Sequence, residues 1–260
     1  LDQTFDPVIG LFNTVLIPFF SVLCLVTLYL RDKQFEAFIL SKSRLNKQLE
    51  RTETLLNRVL PEHVYRGLKE DQLLTDIYPD MTILYADIVG FTSWSSQKGP
   101  EEVLSMLSKM FAKFDESCLK HNVYKVHTIG DCYVVLGSSS KVRDPVVECC
   151  NVVDFAKEMI GTIEEVNLEE GMDLSMRIGI HTGTVTAGIS GTTIVRYDIY
   201  GRDVTIANKM ESNGVPGKIA VSESTKQVLE AVDTPYCFEE GPLVELKEPF
   251  TTFRSYLLSY

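Results

Sequence analysis

The 260-residue chain is short of positive charge: 25 Lys and Arg stand against 36 Asp and Glu, a formal net charge of −11. Nucleic-acid binders carry a basic face, so nucleic acid is excluded as the expected partner. Cysteine is sparse too. The six cysteines show no C-x-x-C spacing, which argues against a zinc site or a disulfide framework. They read as thiols in a reducing compartment. There is no Pro/Gly-rich tract, low-complexity segment or internal repeat, so fibrous and solenoid classes drop out. Charge itself is missing from Pro7 to Leu30, 24 residues bounded by Asp6 and Arg31.

What is present is 45% hydrophobic residues, enough for a core, which excludes wholesale disorder. Mean hydropathy is near zero, but that average hides a split between the apolar start and the rest. At about 1.5 Å per residue the uncharged run spans roughly 36 Å as a helix, the thickness of a bilayer. It lacks the basic n-region of a signal peptide. Residues 1–30 therefore read as an extracytoplasmic edge and a transmembrane helix. Arg31, Lys33, Lys42, Arg44 and Lys47 follow it, which puts the rest of the chain in the cytoplasm.

Residues 31–62 read as a linker helix. Phe38, Lys42, Leu45, Leu49, Thr52, Leu56 and Val59 step by four and three, the seam of a short two-stranded coiled coil or of a single amphipathic helix. Pro61 should end it.

Residues 63–260 read as one α+β domain. Met81–Ala86 is a buried strand, and Pro100 to about Lys120 a helix. Tyr124–Ile129 and Cys132–Leu136 are strands joined by a tight turn at Gly130-Asp131. Pro145–Ile163 is a helix, and Leu174–His181 and Thr184–Ser190 a hairpin about Gly183. Arg202–Ser212 is a helix, Lys218–Val221 a strand, and Ser222 caps a helix to about Val232. The end, from Phe250 to Leu258, is rich in β-formers. The β-α-β-β-α-β order is the ferredoxin-like pattern, with helices expected on one face of the sheet.

Two carboxylates stand out. Asp87 ends the first strand in Tyr-Ala-Asp-Ile-Val-Gly-Phe-Thr, and Asp131 sits in the turn of the next hairpin. In this topology those strands are neighbours. A charged Asp at the end of an apolar strand needs neutralising, and paired oxygen ligands suit Mg²⁺ or Mn²⁺. Two such ions about 3.5–4 Å apart would activate an attacking oxygen and screen a triphosphate. The turn after Asp87, Gly90-Phe91-Thr92, offers backbone amides to phosphate. Arg177 interrupts an apolar strand, so it is either paired within the fold or aimed at an anionic ligand.

ILYADIVGFTSWSS, KVHTIGDCYVV, MRIGIHTGTVTAGISG and YDIYGRDVTIANKMESNG, in that order and spacing, resemble the class III purine-nucleotide cyclases. The resemblance covers about residues 55–260, and LLNRVLPE (55–62) is similar to the signalling linker that precedes the catalytic domain in that family. It implies a phosphorus–oxygen lyase that converts ATP or GTP to the 3′,5′-cyclic nucleotide and pyrophosphate. It implies two metal ions on Asp87, the Ile88 carbonyl and Asp131, and phosphate contacts from the Gly90, Phe91 and Thr92 amides and Arg177. It also implies active sites shared between two domains paired head to tail.

The departures from the family pattern lie on the other half of that shared site. Thr205 and Lys209 stand where the family has an Asn that orients the ribose and an Arg that steadies the transition state. His127 and Asp198 stand at its base-reading positions, where Lys or Glu, and Asp or Cys, are usual. The chain thus resembles the metal-bearing half of a heterodimeric cyclase, with a degenerate second site at His127, Asp198, Thr205 and Lys209. The expected partner is a complementary cyclase domain, on the same chain or another. A non-catalytic regulatory or dimerisation domain on the same fold is the alternative. The substrate base stays open. Asp198 is the adenine-type residue, while a chain that closes where the fold ends resembles the bipartite protozoan guanylyl cyclases.

Overall fold

The computed structural model describes residues 15–57, 60–70, 75–140, 142–191, 196–232, 236–246 and 251–259. The chain divides into two compact units, 1–65 and 66–260.

In the first unit, α1 (Ile17–Asn57) is one uninterrupted helix. Its apolar side chains, from Phe19 and Phe20 to Leu45 and Leu49, lie exposed along its whole length. The hydroxyls of Ser21 and Thr27 donate to the carbonyls of Ile17 and Cys24 within the same helix. A third of the expected crossing, residues 7–14, lies outside the described residues. Among the described residues no helix is long and apolar enough to cross a membrane. The expected transmembrane helix is therefore unsupported among the described residues. The linker helix does extend through 31–57. Val59 of the predicted seam lies outside the described residues. A short helix, α2 (Glu62–Lys69), follows Pro61.

The second unit is built on one mixed sheet. Its elements are β1 (Thr75–Val89), α3 (Phe91–Ser95), α4 (Pro100–Lys120), β2 (Tyr124–Ile129), β3 (Cys132–Leu136), α5 (Pro145–Glu170) and β4 (Ser175–Ser190). They continue with β5 (Arg196–Tyr200), α6 (Arg202–Ser212), β6 (Lys218–Ser222), α7 (Glu223–Glu230), β7 (Cys237–Leu246) and β8 (Thr251–Ser259). The strand order is β2-β3-β1-β4-β6-β8-β7, with β5 also paired to β4. The first four strands pair antiparallel, which is the ferredoxin-like order expected from the sequence.

Strand alternation sorts the side chains. Leu84, Ala86 and Ile88 of β1, with Ile178 and Ile180 of β4, face a core closed by α4 and α5. Pro100 at the first position and Glu101 and Glu102 in the first turn favour the start of α4. Asp144 caps α5 by accepting from the amides of Val146 and Val147. That helix runs past the expected Ile163 to Gly171, whose φ of 65° supplies the left-handed stop.

Three expectations change. Residues 174–190 are not a hairpin: β4 is one 16-residue strand running straight through Gly183. A Cβ there would lie 2.3 Å from the Asp203 carboxylate, so this glycine marks a close approach and not a turn. The helices are not all on one face. Residues 177 and 179 point away from the core, and a Cβ on Gly179 would meet the backbone of α6 at Glu211. Thus α6 covers the second face. Finally, β1 begins at Thr75, ahead of the expected Met81. Its ladder shifts register between Tyr78 and Met81, the irregularity that lets Pro79 sit within a strand.

Candidate active site

Asp87 and Arg177 are direct cross-strand partners on β1 and β4, on the face away from the core. The last aligned pair of β1 and β3 is Ala86 with Tyr133, so the residues just beyond it carry Asp87 and Asp131 to the same end of the sheet. Gly130, at φ 63°, makes the turn that delivers Asp131. Burial, then the Asp87 charge, push the Asp131 carboxyl above its ordinary value, while the Ile88 amide pulls the other way. Two acids crowded in this way are relieved by a proton or a cation.

Among the described residues no three or more His, Cys, Asp or Glu side chains are grouped to hold a metal ion. Two carboxylates with a backbone oxygen such as that of Ile88 still fit a hard divalent ion, which keeps positions for water and phosphate oxygens.

Of its two alternatives, Arg177 takes the first and is paired within the fold. Its Nη2 donates to Asp87 Oδ2 at 3.0 Å and its Nε to Glu211 Oε1 at 3.0 Å. It is paired, and one of its partners is a candidate metal ligand. Glu211, in the last turn of α6, is 4% exposed. Burial raises its carboxyl, and Arg177 and the Ser212 hydroxyl oppose that.

Gly90 follows β1 with φ 87° and leads into α3, a conformation that other residues adopt only with strain. The first backbone bond of that helix runs from the Trp94 amide to the Gly90 carbonyl, so the amides of Gly90, Phe91 and Thr92 precede the helical hydrogen bonding. They border Asp87 along the chain.

The predicted second site is only partly assembled. His127 Nδ1 lies 3.4 Å from Asp198 Oδ1, and Arg196 Nε 3.6 Å from Asp198 Oδ2. Both ring nitrogens of His127 are buried without a hydrogen bond. Burial lowers its pKa, and Asp198 opposes this. Thr205 and Lys209 lie one turn apart on α6. The Thr205 hydroxyl donates to the Gly201 carbonyl of its own helix.

Two neighbours of the acidic pair escaped the sequence reading. Glu211 sits among amphipathic helical residues, where an acid reads as a solvent face. The signal that could have found it is Arg177, since a partly buried guanidinium within an apolar strand calls for a second carboxylate. Cys132, beside Asp131, is held as a thiol with its pKa pushed up to about 12, by burial first and then by Asp87, Glu211 and Asp131.

A sheet end with two carboxylates, an arginine and a run of amides can hold a polyphosphate with its counter-cation. Residues 74–259 match the family described as the adenylate and guanylate cyclase catalytic domain. The chain belongs to that family. It is 39% identical over 223 residues to guanylate cyclase alpha of Plasmodium falciparum, covering 84% of this chain and 5% of that protein. It is 43% identical over 197 residues to guanylate cyclase of Toxoplasma gondii, covering 72% and 4%. The chain thus spans about a twentieth of the length of these relatives. Among solved structures, the guanylate cyclase domain of a Catenaria anguillulae protein in complex with GTP superposes with a TM-score of 0.64 at 28% identity, covering 71% of this chain and 98% of that one.

Proposed function

We propose that this chain is the cation-holding half of a nucleotide cyclase centre, and that with a complementary cyclase domain it converts GTP to 3′,5′-cyclic GMP and pyrophosphate. The observation that carries this is the side-by-side placement of Asp87 and Asp131 with Arg177 on one sheet end. In the reaction the ribose 3′-oxygen forms a bond to the α-phosphorus, the α–β bridging bond breaks, and pyrophosphate leaves with the electron pair. The 3′-hydroxyl proton passes to solvent.

Two Mg²⁺ or Mn²⁺ ions, when bound, favour the ionised 3′-oxygen and screen the triphosphate. Asp87, Asp131 and the Ile88 carbonyl would hold them. The Gly90, Phe91 and Thr92 amides and Arg177 would take phosphate oxygens. Thr205 and Lys209 supply neither a carboxamide nor a planar guanidinium fork, so the groups that orient the ribose and transition state must come from the complementary domain. GTP is favoured because the relatives of highest identity named above are called guanylate cyclases. ATP is the competing substrate, in keeping with Asp198.

The exposed apolar stretch of α1, its internally satisfied hydroxyls and the basic residues after it support attachment to a membrane, with the domain on the cytoplasmic side. The test of function is cyclisation of GTP and of ATP by the full-length protein with Mg²⁺ or Mn²⁺. Cyclic GMP is expected. A folded protein that makes neither cyclic nucleotide overturns the proposal in favour of a non-catalytic role.

A further inference from the structure

We infer that Glu211 is a positioning residue: it tethers Arg177 through Nε, so that the other end of the guanidinium can move from Asp87 to the triphosphate when the cation arrives. This rests on the cyclase reading above.

The argument starts from charge. Asp87 and Glu211 present two carboxylates to one guanidinium, and Asp131 stands beside Asp87. Arg177 divides itself between two of them, Nη2 on Asp87 Oδ2 and Nε on Glu211 Oε1, each at 3.0 Å. Among the described residues nothing accepts from Nη1. A divalent ion bound by Asp87 would satisfy that carboxylate better than a shared hydrogen bond does, and it would repel the guanidinium. Nη2 would then be free, and Nη1 and Nη2 together form the fork that matches a phosphate.

Glu211 is built to stay. A Cβ on Gly179 would stand 2.1 Å from the Glu211 backbone nitrogen, so the end of α6 is pressed against β4 two residues from Arg177. The Ser212 hydroxyl divides its one proton between the Asn208 carbonyl at 2.9 Å and Glu211 Oε2 at 3.1 Å, and so reaches the carboxylate from its other side. A tether of this kind removes most of the rotational freedom of a long side chain before substrate arrives, which is where pre-organisation adds affinity. The Asp87 contact has the opposite character, since it blocks a candidate metal ligand until the cation displaces it.

Two measurements test this on the full-length protein with its complementary domain. In steady-state kinetics with GTP, Glu211→Ala should raise KM on the order of tenfold, the loss of one charged hydrogen bond, with a smaller change in kcat. Glu211→Gln keeps the Oε1 acceptor and should recover most of that affinity. An unchanged KM in Glu211→Ala, or a Glu211→Gln as impaired as the alanine variant with both melting normally, overturns the tether and leaves Glu211 a structural counter-charge. In the second, Mn²⁺ binding is followed by electron paramagnetic resonance without nucleotide. Arg177→Gln should bind Mn²⁺ several-fold more tightly than the parent protein, because Asp87 no longer has a competitor. Equal or weaker binding overturns the release step. Failure of the cyclase reading itself shows differently: the parent protein makes no cyclic nucleotide, while the Mn²⁺ arm still reports on Arg177 and Asp87.

Discussion

Asp131 is the residue at which folding and chemistry pull apart. Its carboxyl is pushed up by burial and by Asp87. A carboxyl raised in the folded state favours folding while protonated, and that contribution is lost as pH rises through the folded-state value. The cation-free protein should therefore melt lower near neutral pH than in mild acid, as far as this group governs it. Asp131→Asn should melt a few degrees higher than the parent near neutral pH without divalent ions, and lose cyclase activity. Mn²⁺ should raise the melting temperature of the parent and do so much less for the variant. A thermal scan with and without Mn²⁺ at two pH values checks all three. Asp87 and Asp131 were legible as a pair, because the β-α-β-β order sets the end of one strand beside the turn of the next; either alone reads as an ordinary turn or cap residue. Glu211 was not. It lies four residues after Ala207 and seven after Val204, on the buried face of α6, but helical spacing does not say which cross-strand partner pairs with an acid placed there.

At the scale of elements, the contact between α6 and β4 sets the geometry of the acidic sheet end. A Cβ added at Gly179 would lie 2.1 Å from the Glu211 nitrogen and 2.6 Å from the Met210 carbonyl carbon, and backbone cannot swing aside as a flexible side chain does. Gly179→Ala should therefore destabilise the domain by about 3 kcal/mol or more. It should also raise KM in the manner of Glu211→Ala, since the tether moves with the helix. Denaturant titration and steady-state kinetics measure the two effects. Elements with one strong pattern were readable: α4 and β2–β3 fall at the expected residues. Elements whose pattern is broken for a tertiary reason were not. Gly183 reads as a turn because the Asp203 carboxylate it accommodates is 20 residues away in sequence. The strand β7 carries Glu239, Glu240 and Glu245 on an edge of the sheet, and the charges that blunt such an edge hide its strand character.

For the whole molecule, the net charge of −11 and a polyphosphate substrate look opposed, and the site resolves the conflict locally. Carboxylates that would repel a triphosphate become its attachment once a cation lies between them. The same division underlies the proposal that the centre needs a complementary domain. The half of the shared site built by β1, β3 and β4 has its charges in place. Of the other half, His127 has both ring nitrogens buried and neither hydrogen-bonded, and Lys209 offers a point charge without a fork. Substitutions should therefore fall into two classes when this chain is assayed with a complementary cyclase domain. Asp87→Ala should reduce turnover at least about a hundredfold, as expected for loss of a group that neutralises charge in the transition state. Lys209→Ala should keep most of the turnover, because the face it sits on lies outside the productive site. This chain assayed alone should show little activity, and adding the complementary domain should restore it. If Lys209→Ala is as damaging as Asp87→Ala, or the chain alone is fully active, then both faces are catalytic and the assignment of this domain to one half of the centre is wrong.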